Sequence, residues 1–198
     1  MNKKLIPPVS IFLLWIAYTV IYTVQLNDTL ATFLEFLPGV LGIITLYASG
    51  FTTQDLYLRK GSLSVKGAIL LTAFLFVLVP ILLTGEWVGW HWLPFLVYAP
   101  ASGIAQELFF RASLLPLLIK IFRGKTAPAV IIQASLFALW HVPLAFSQAP
   151  LGGAFAVTVV TFIGGIVWGW QVQHNKTVYW AMAQHIVYLM IMSLFSWG

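Results

Sequence analysis

Apolar runs of about 20 residues recur along the whole chain, and that recurrence restricts the possible fold more than any other feature. A helix needs about 20 apolar residues to cross the hydrocarbon of a bilayer. Seven such runs can be read, at roughly 8–25, 30–51, 67–84, 92–119, 128–147, 153–172 and 178–197, joined by short polar or Gly/Pro-containing connections. Backbone polar groups in lipid must be satisfied within the segment that carries them. The expected fold class is therefore all-α: a polytopic transmembrane bundle of about seven spans, forming one integral membrane domain over residues 1–198. Composition agrees, since only 8% of the residues are charged and 61% are hydrophobic, against about 25% charged in a soluble domain. The chain has no cysteine, which excludes disulfides, a thiol nucleophile and thiolate metal sites.

The charges carry topological information. With the N-terminus in the cytoplasm, Lys3, Lys4, Arg59, Lys60, Lys66, Lys120, Arg123, Lys125 and Lys176 all fall on cytoplasmic segments. The opposite loops carry Asp28 and Glu86 but no Lys or Arg. Lys/Arg bias of this kind sets orientation, so N-in, C-out is expected. It also accounts for the sequence pI of about 9.6 without nucleic acid, because no basic patch is interleaved with exposed aromatics. The Met-Asn-Lys-Lys start is followed by a run too long for a signal peptide, with no A-x-A site, and reads as an uncleaved first span. Trp87, Trp90 and Trp92 read as an interfacial aromatic belt. Gly165 and Gly169 form a G-x-x-x-G pair suited to close helix approach. The 52–66 connection reads as a plain linker.

The remaining basic residue, Arg111, lies inside the fourth run together with Gln106 and Glu107. Ionised side chains at that depth cost several kcal/mol unless paired or wet, so they point to function. Glu107 and Arg111 are four apart, acid first, which puts them on one helix face in the favourable order. Gln106 is rotated by about 100° from Glu107. Gln133, Phe137 and His141 share a face of the fifth run, and His185 lies in the seventh beside Gln184 and Tyr188. Three spans thus each supply one strong acid/base or ligand group: Glu107, His141 and His185. Glu35 sits close to the outer interface and reads as snorkelling or facing a wet crevice.

Two chemistries suit a carboxylate and two imidazoles. The carboxylate can be a general base, with one imidazole positioning water and the other stabilising an oxyanion. Alternatively, Glu107, His141 and His185 can hold a divalent metal such as Zn with a fourth position open for water. Both lead to hydrolysis, with a peptide bond as the expected target. The only aspartates, Asp28 and Asp55, lie in loops, and no H-E-x-x-H is present. Ser102-Gly103 lacks the glycine frame of a nucleophile turn, and no base for a reactive serine is evident.

Glu107-x-x-x-Arg111, Phe137-x-x-x-His141 and His185 resemble the three ordered motifs of the CPBP family of intramembrane proteases. That family includes the type II CAAX prenyl proteases and the Abi (bacteriocin-processing and immunity) proteins. Its pattern is E-E-x-x-x-R, F-x-x-x-H and H-x-x-x-N/D, and the motif region here is about 92–195. The resemblance implies a glutamate-dependent intramembrane endopeptidase. Expected partners are membrane lipids and a peptide substrate: a lipidated or prenylated protein, a leader peptide or a C-terminal sorting tail. The expected location is the bacterial plasma membrane.

By position Glu107 resembles the second Glu, Arg111 the Arg, His141 the first motif His and His185 the last. Two positions depart. Gln106 stands where the first Glu belongs, and an amide cannot accept a proton from water. Leu189 stands where Asn or Asp belongs, with Tyr188 or Gln184 as candidate replacement donors. Either Glu107 is the base, or the chain is a non-catalytic relative serving as scaffold, immunity or regulatory protein.

Overall fold

The computed structural model describes residues 6–24, 28–61, 63, 66–67, 86–148 and 150–196. The helices are α1 (Ile6–Thr23), α2 (Asp28–Ala48), α3 (94–121), α4 (Thr126–Gln148), α5 (Leu151–Asn175) and α6 (Tyr179–Met192). Strands β1 (Glu86–Trp87) and β2 (Phe195–Ser196) pair antiparallel. Among the described residues the protein is all-α apart from this ribbon. Among the described residues four helices, within α1, α2, α4 and α5, are long and apolar enough to cross a membrane. The expected third span, 67–84, lies almost wholly outside the described residues. The seventh is shorter than expected: helix ends at Met192, and Phe195 and Ser196 turn back to pair with Trp87 and Glu86.

Helix α3 is interrupted by two π-helical stretches, Pro94–Tyr98 and Phe110–Leu114. The second has a local cause. Pro116 has no N–H for the carbonyl four residues back and its ring would crowd the preceding turn. The helix widens instead, and Leu115 N–H bonds to the carbonyl of Phe110, five residues earlier. This π turn carries Arg111 and begins three residues after Glu107. Such bulges are frequent at functional sites.

Packing directions can be read from specific contacts. Along α2 and α3 the numbers rise together: Thr29 meets Tyr98, the position of a Cβ on Gly39 lies 2.9 Å from Leu108 Cβ, and that on Gly42 lies 2.8 Å from Ser113 Oγ. The two helices are parallel, and they pack this closely because neither glycine has a side chain. Helices α1 and α4 are also parallel, with Trp15 Nε1–H donating to Leu136 O (3.1 Å) and Tyr22 stacked on Trp140. Helices α4 and α5 are antiparallel, with Ala134 against Gly165 and Val130 against Gly169. That is the close approach anticipated for the G-x-x-x-G pair.

The two ends of the bundle differ. At one end the 49–61 connection docks on the helix ends rather than merely linking them. Leu56 is fully buried and Phe51 nearly so. Tyr57 O–H and the Gln173 amide bond to each other, Val178 N–H donates to Tyr57 O, and Arg59 Nε–H donates to Lys176 O. Lys120 Nζ lies 4.2 Å from the Phe51 ring centroid. Arg59, Lys60, Lys120, Arg123, Lys125 and Lys176 therefore gather at this end. The other end carries the β1–β2 ribbon and the exposed Trp87, Trp90 and Trp92, with Trp90 edge-on to Trp87 and stacked on Trp92.

Candidate functional site

Glu107 is completely buried, and both its partners are buried with it. Its Oε1 lies 3.0 Å from Arg111 Nη1 and accepts from His185 Nδ1–H at 2.8 Å. The first contact is the predicted i, i+4 pair. The second needs α6 to approach α3, and Gly103 permits this, since a Cβ there would stand 3.2 Å from the Ile186 backbone. Apolar rings close the pair off. The Arg111 guanidinium lies 4.3 Å from the Phe137 centroid and 5.4 Å from that of Trp168. Trp168 also stacks on His185, with centroids 4.3 Å apart. A cation over an aromatic face is favourable, the more so when desolvated. Glu107, Arg111 and His185 thus form a sealed, charge-neutralised cluster.

His141 belongs to a different environment. Its Nδ1 donates to Phe137 O at 2.9 Å, and the ring packs edge-on against Phe137 and Trp140. A carbonyl only accepts, so the proton of the neutral ring sits on Nδ1 and Nε2 keeps the accepting lone pair. The same logic applies to His185, whose Nδ1 faces a carboxylate. Phe137 joins the two parts: its ring contacts His141 at 4.7 Å and His185 at 6.0 Å, with Arg111 over its face.

A cavity of about 770 Å³ lies beside this cluster, and its walls include Glu35, Ser102, Gln106, His141, Tyr188 and Leu189. Glu107 and His185 are not among its lining residues. Gln106 Nε2–H donates to Ser102 Oγ at 2.9 Å. Gln184 is buried away from the cavity, whereas Tyr188 is on its wall. Of the two candidate replacements for the motif donor at Leu189, only Tyr188 therefore faces the space where a substrate would lie.

The sequence-derived set is thus divided. Glu107, Arg111 and His185 come together directly, with Phe137 against them. Gln106, His141 and Tyr188 meet at the cavity. Trp168 was not anticipated; it belongs to the buried α5 face with Gly164, Gln171 and Val172, a pattern that reads as ordinary packing. Glu35, expected close to the outer interface and either snorkelling or facing a wet crevice, is only 8% exposed and lines the cavity.

The metal alternative can be tested on this geometry. Among the described residues no three His, Cys, Asp or Glu side chains gather closely enough to hold a metal ion. The Glu107 oxygen nearest His185 is already taken by the Arg111 guanidinium, and a divalent cation there would face a fixed positive charge. The Glu107, His141 and His185 set does not fit a metal in this arrangement.

No curated protein and no solved structure matches the chain significantly. A family model does match: that of the type II CAAX prenyl endopeptidase Rce1-like proteins, over residues 87–191. The matched stretch holds Gln106, Glu107, Arg111, Phe137, His141, His185 and Tyr188. This integral membrane protein, with its ion pair sealed beside a cavity, belongs to the Rce1-like family of type II CAAX prenyl endopeptidases.

Proposed function

We propose that the protein is an intramembrane endopeptidase that uses water, without a metal, to hydrolyse a peptide bond of a membrane-associated substrate held in the cavity. The observation that carries this reading is convergence: Ser102 and Gln106 from α3, His141 from α4 and Tyr188 from α6 all line one cavity. In this reading His141 Nε2 accepts a hydrogen bond from the attacking water and orients it. The Tyr188 hydroxyl donates to the oxyanion, in the role left open at Leu189. Glu107, Arg111 and His185 back the wall and hold α3 and α6 in register, because a preorganised site loses little to rearrangement during the reaction. A cavity of about 770 Å³ is within the usual size of ligand sites. It would admit an extended segment and exclude a folded domain.

We extend the reading to seven spans, N-in and C-out. Helix directions support it: α1 parallel to α4, α2 parallel to α3, and α4 antiparallel to α5 are what seven alternating crossings require. The parallel run of α2 and α3 further asks the connection between Ala48 and Pro94 to return to the end where α2 began. The gathering of Arg59, Lys60, Lys120, Arg123, Lys125 and Lys176 at one end supports that end as cytoplasmic.

The cavity wall includes Ala31, Thr32, Pro94, Tyr98, Pro150 and Met192, all near the opposite end. Substrate would then enter from the non-cytoplasmic half of the membrane. A leader peptide, a sorting tail or a lipidated segment of the outer leaflet suits that access better than a cytoplasmic prenylated C-terminus.

The test is reconstitution of the full chain in liposomes with membrane-anchored peptides of these three types and a prenylated control, with products read by mass spectrometry. Cleavage of at least one, reduced by about 100-fold or more in His141→Ala, is expected from loss of the group that orients the attacking water. Intact peptides throughout, with folded protein, would overturn the reading.

A further inference from the structure

The cavity contains a carboxylate that the motif pattern does not account for. Glu35 on α2 lines it together with Ser102, Gln106 and His141. Its approach to α3 follows from the glycines. Gly39, one helical turn beyond Glu35, has no Cβ to hold Leu108 away, and Gly42 none to hold Ser113 away. The same face of α2 then brings Glu35 against Ser102, whose hydroxyl is within hydrogen-bonding reach of the carboxylate. The second oxygen, Oε2, is buried and has no hydrogen-bond partner among the described residues. A buried carboxylate oxygen with no partner is costly, and the cost falls if the cavity holds water against it.

Gln106 and Glu35 also explain one another. Gln106 Nε2–H donates to Ser102 Oγ, which leaves the Ser102 hydroxyl proton for Glu35. The resulting relay runs Gln106 to Ser102 to Glu35. A carboxylate at position 106 would place a second negative charge on the same serine, and like charges so close oppose joint ionisation. The site accommodates one carboxylate facing the cavity, and in this chain it stands on α2.

We propose that Glu35 is the general base of this enzyme, acting from α2 in place of the glutamate missing at position 106. The proposal rests on the peptidase reading above. Glu35 takes a proton from the cavity water as the water oxygen bonds to the scissile carbonyl carbon. The C–N bond then breaks, the proton passes from Glu35 to the leaving nitrogen, and the products are an amine and a carboxylic acid. Glu35 returns to the carboxylate form, so protons and bonds balance without a co-reactant.

The experiment compares wild type, Glu35→Gln, Gln106→Glu and the double variant Glu35→Gln/Gln106→Glu in liposomes, on the peptide panel described above. Expected is a loss of about 100-fold or more in Glu35→Gln, the usual scale for a removed general base, and recovery in the double variant to within about tenfold of wild type. Recovery by relocating the carboxylate also proves that the fold survives, which a packing role could not produce.

Two results would overturn the proposal and leave the peptidase reading intact. They are full activity in Glu35→Gln and a loss in Glu35→Gln that the double variant does not restore. A folded but inactive wild type would overturn the peptidase reading and the proposal with it, whether or not Gln106→Glu is active.

Discussion

Gln106 and Glu107 are consecutive on α3, yet they lie in opposite surroundings. Glu107 is enclosed by Arg111, His185 and the rings of Phe137 and Trp168. Gln106 lines a cavity of about 770 Å³ and spends its amide on Ser102. One step along a helix turns the side chain by about 100°, which here is enough to separate a sealed ion cluster from an open chamber. The contrast teaches how the charge is distributed. On the sealed face a carboxylate is kept because a guanidinium and an imidazole neutralise it. On the open face α3 offers a neutral amide, and the carboxylate comes from α2.

The largest expected effect tests the sealed face. Glu107→Ala leaves Arg111 buried and uncompensated and should cost about 3–5 kcal/mol of stability, read by denaturant unfolding in detergent. Gln106→Ala removes one neutral hydrogen bond and should cost about 1 kcal/mol. Comparable losses at the two positions would remove the distinction. The open face is expected to respond in rate instead. His141→Ala should slow cleavage by about 100-fold, equivalent to about 2.7 kcal/mol of transition-state stabilisation, with a melting temperature near wild type.

A smaller effect sharpens the account of the seal. Trp168→Leu removes the stack on His185 and the contact with Arg111, and about 1–2 kcal/mol of stability should go with them. Its effect should be non-additive with Glu107→Ala, since both act on one cluster; strict additivity would place Trp168 outside it. The smallest effect is a null one. Chelation should leave cleavage unchanged and metal analysis of the purified protein should give less than one ion per chain. Activity lost to a chelator and restored by Zn would contradict the metal-free reading.

The sealed cluster was legible in the sequence and the open one only partly. Glu107 and Arg111 declare themselves by their spacing in an apolar run, and His141 and His185 by their place within spans. These are local signals. Glu35 declares only its place in an apolar run near the outer interface; that it meets Ser102 and Gln106 depends on which helix α2 packs against and how closely. That closeness comes from Gly39 and Gly42 meeting Leu108 and Ser113, contacts between residues about 70 positions apart. Trp168 was hidden for a similar reason, as an aromatic residue on a buried helix face usually means packing.

The docked 49–61 connection shows another limit. Its polar composition reads as a linker, while Leu56 and Phe51 anchor it in the core. The early end of the last helix at Met192 follows from strand pairing with a segment about 110 residues earlier in the chain, which no local pattern encodes.

The central claim is that one face of α3 meets water and the next does not. The chain has no cysteine, so single substitutions can report this directly. Ser102→Cys, Gln106→Cys, Ala105→Cys and Ala112→Cys would be treated in oriented membranes with a charged, membrane-impermeant thiol reagent applied to each side in turn. Labelling of Ser102→Cys and Gln106→Cys is expected from the side away from the Lys/Arg loops, and none at Ala105→Cys or Ala112→Cys. Equal labelling at all four positions, or labelling of the cavity pair only from the Lys/Arg side, would contradict that claim.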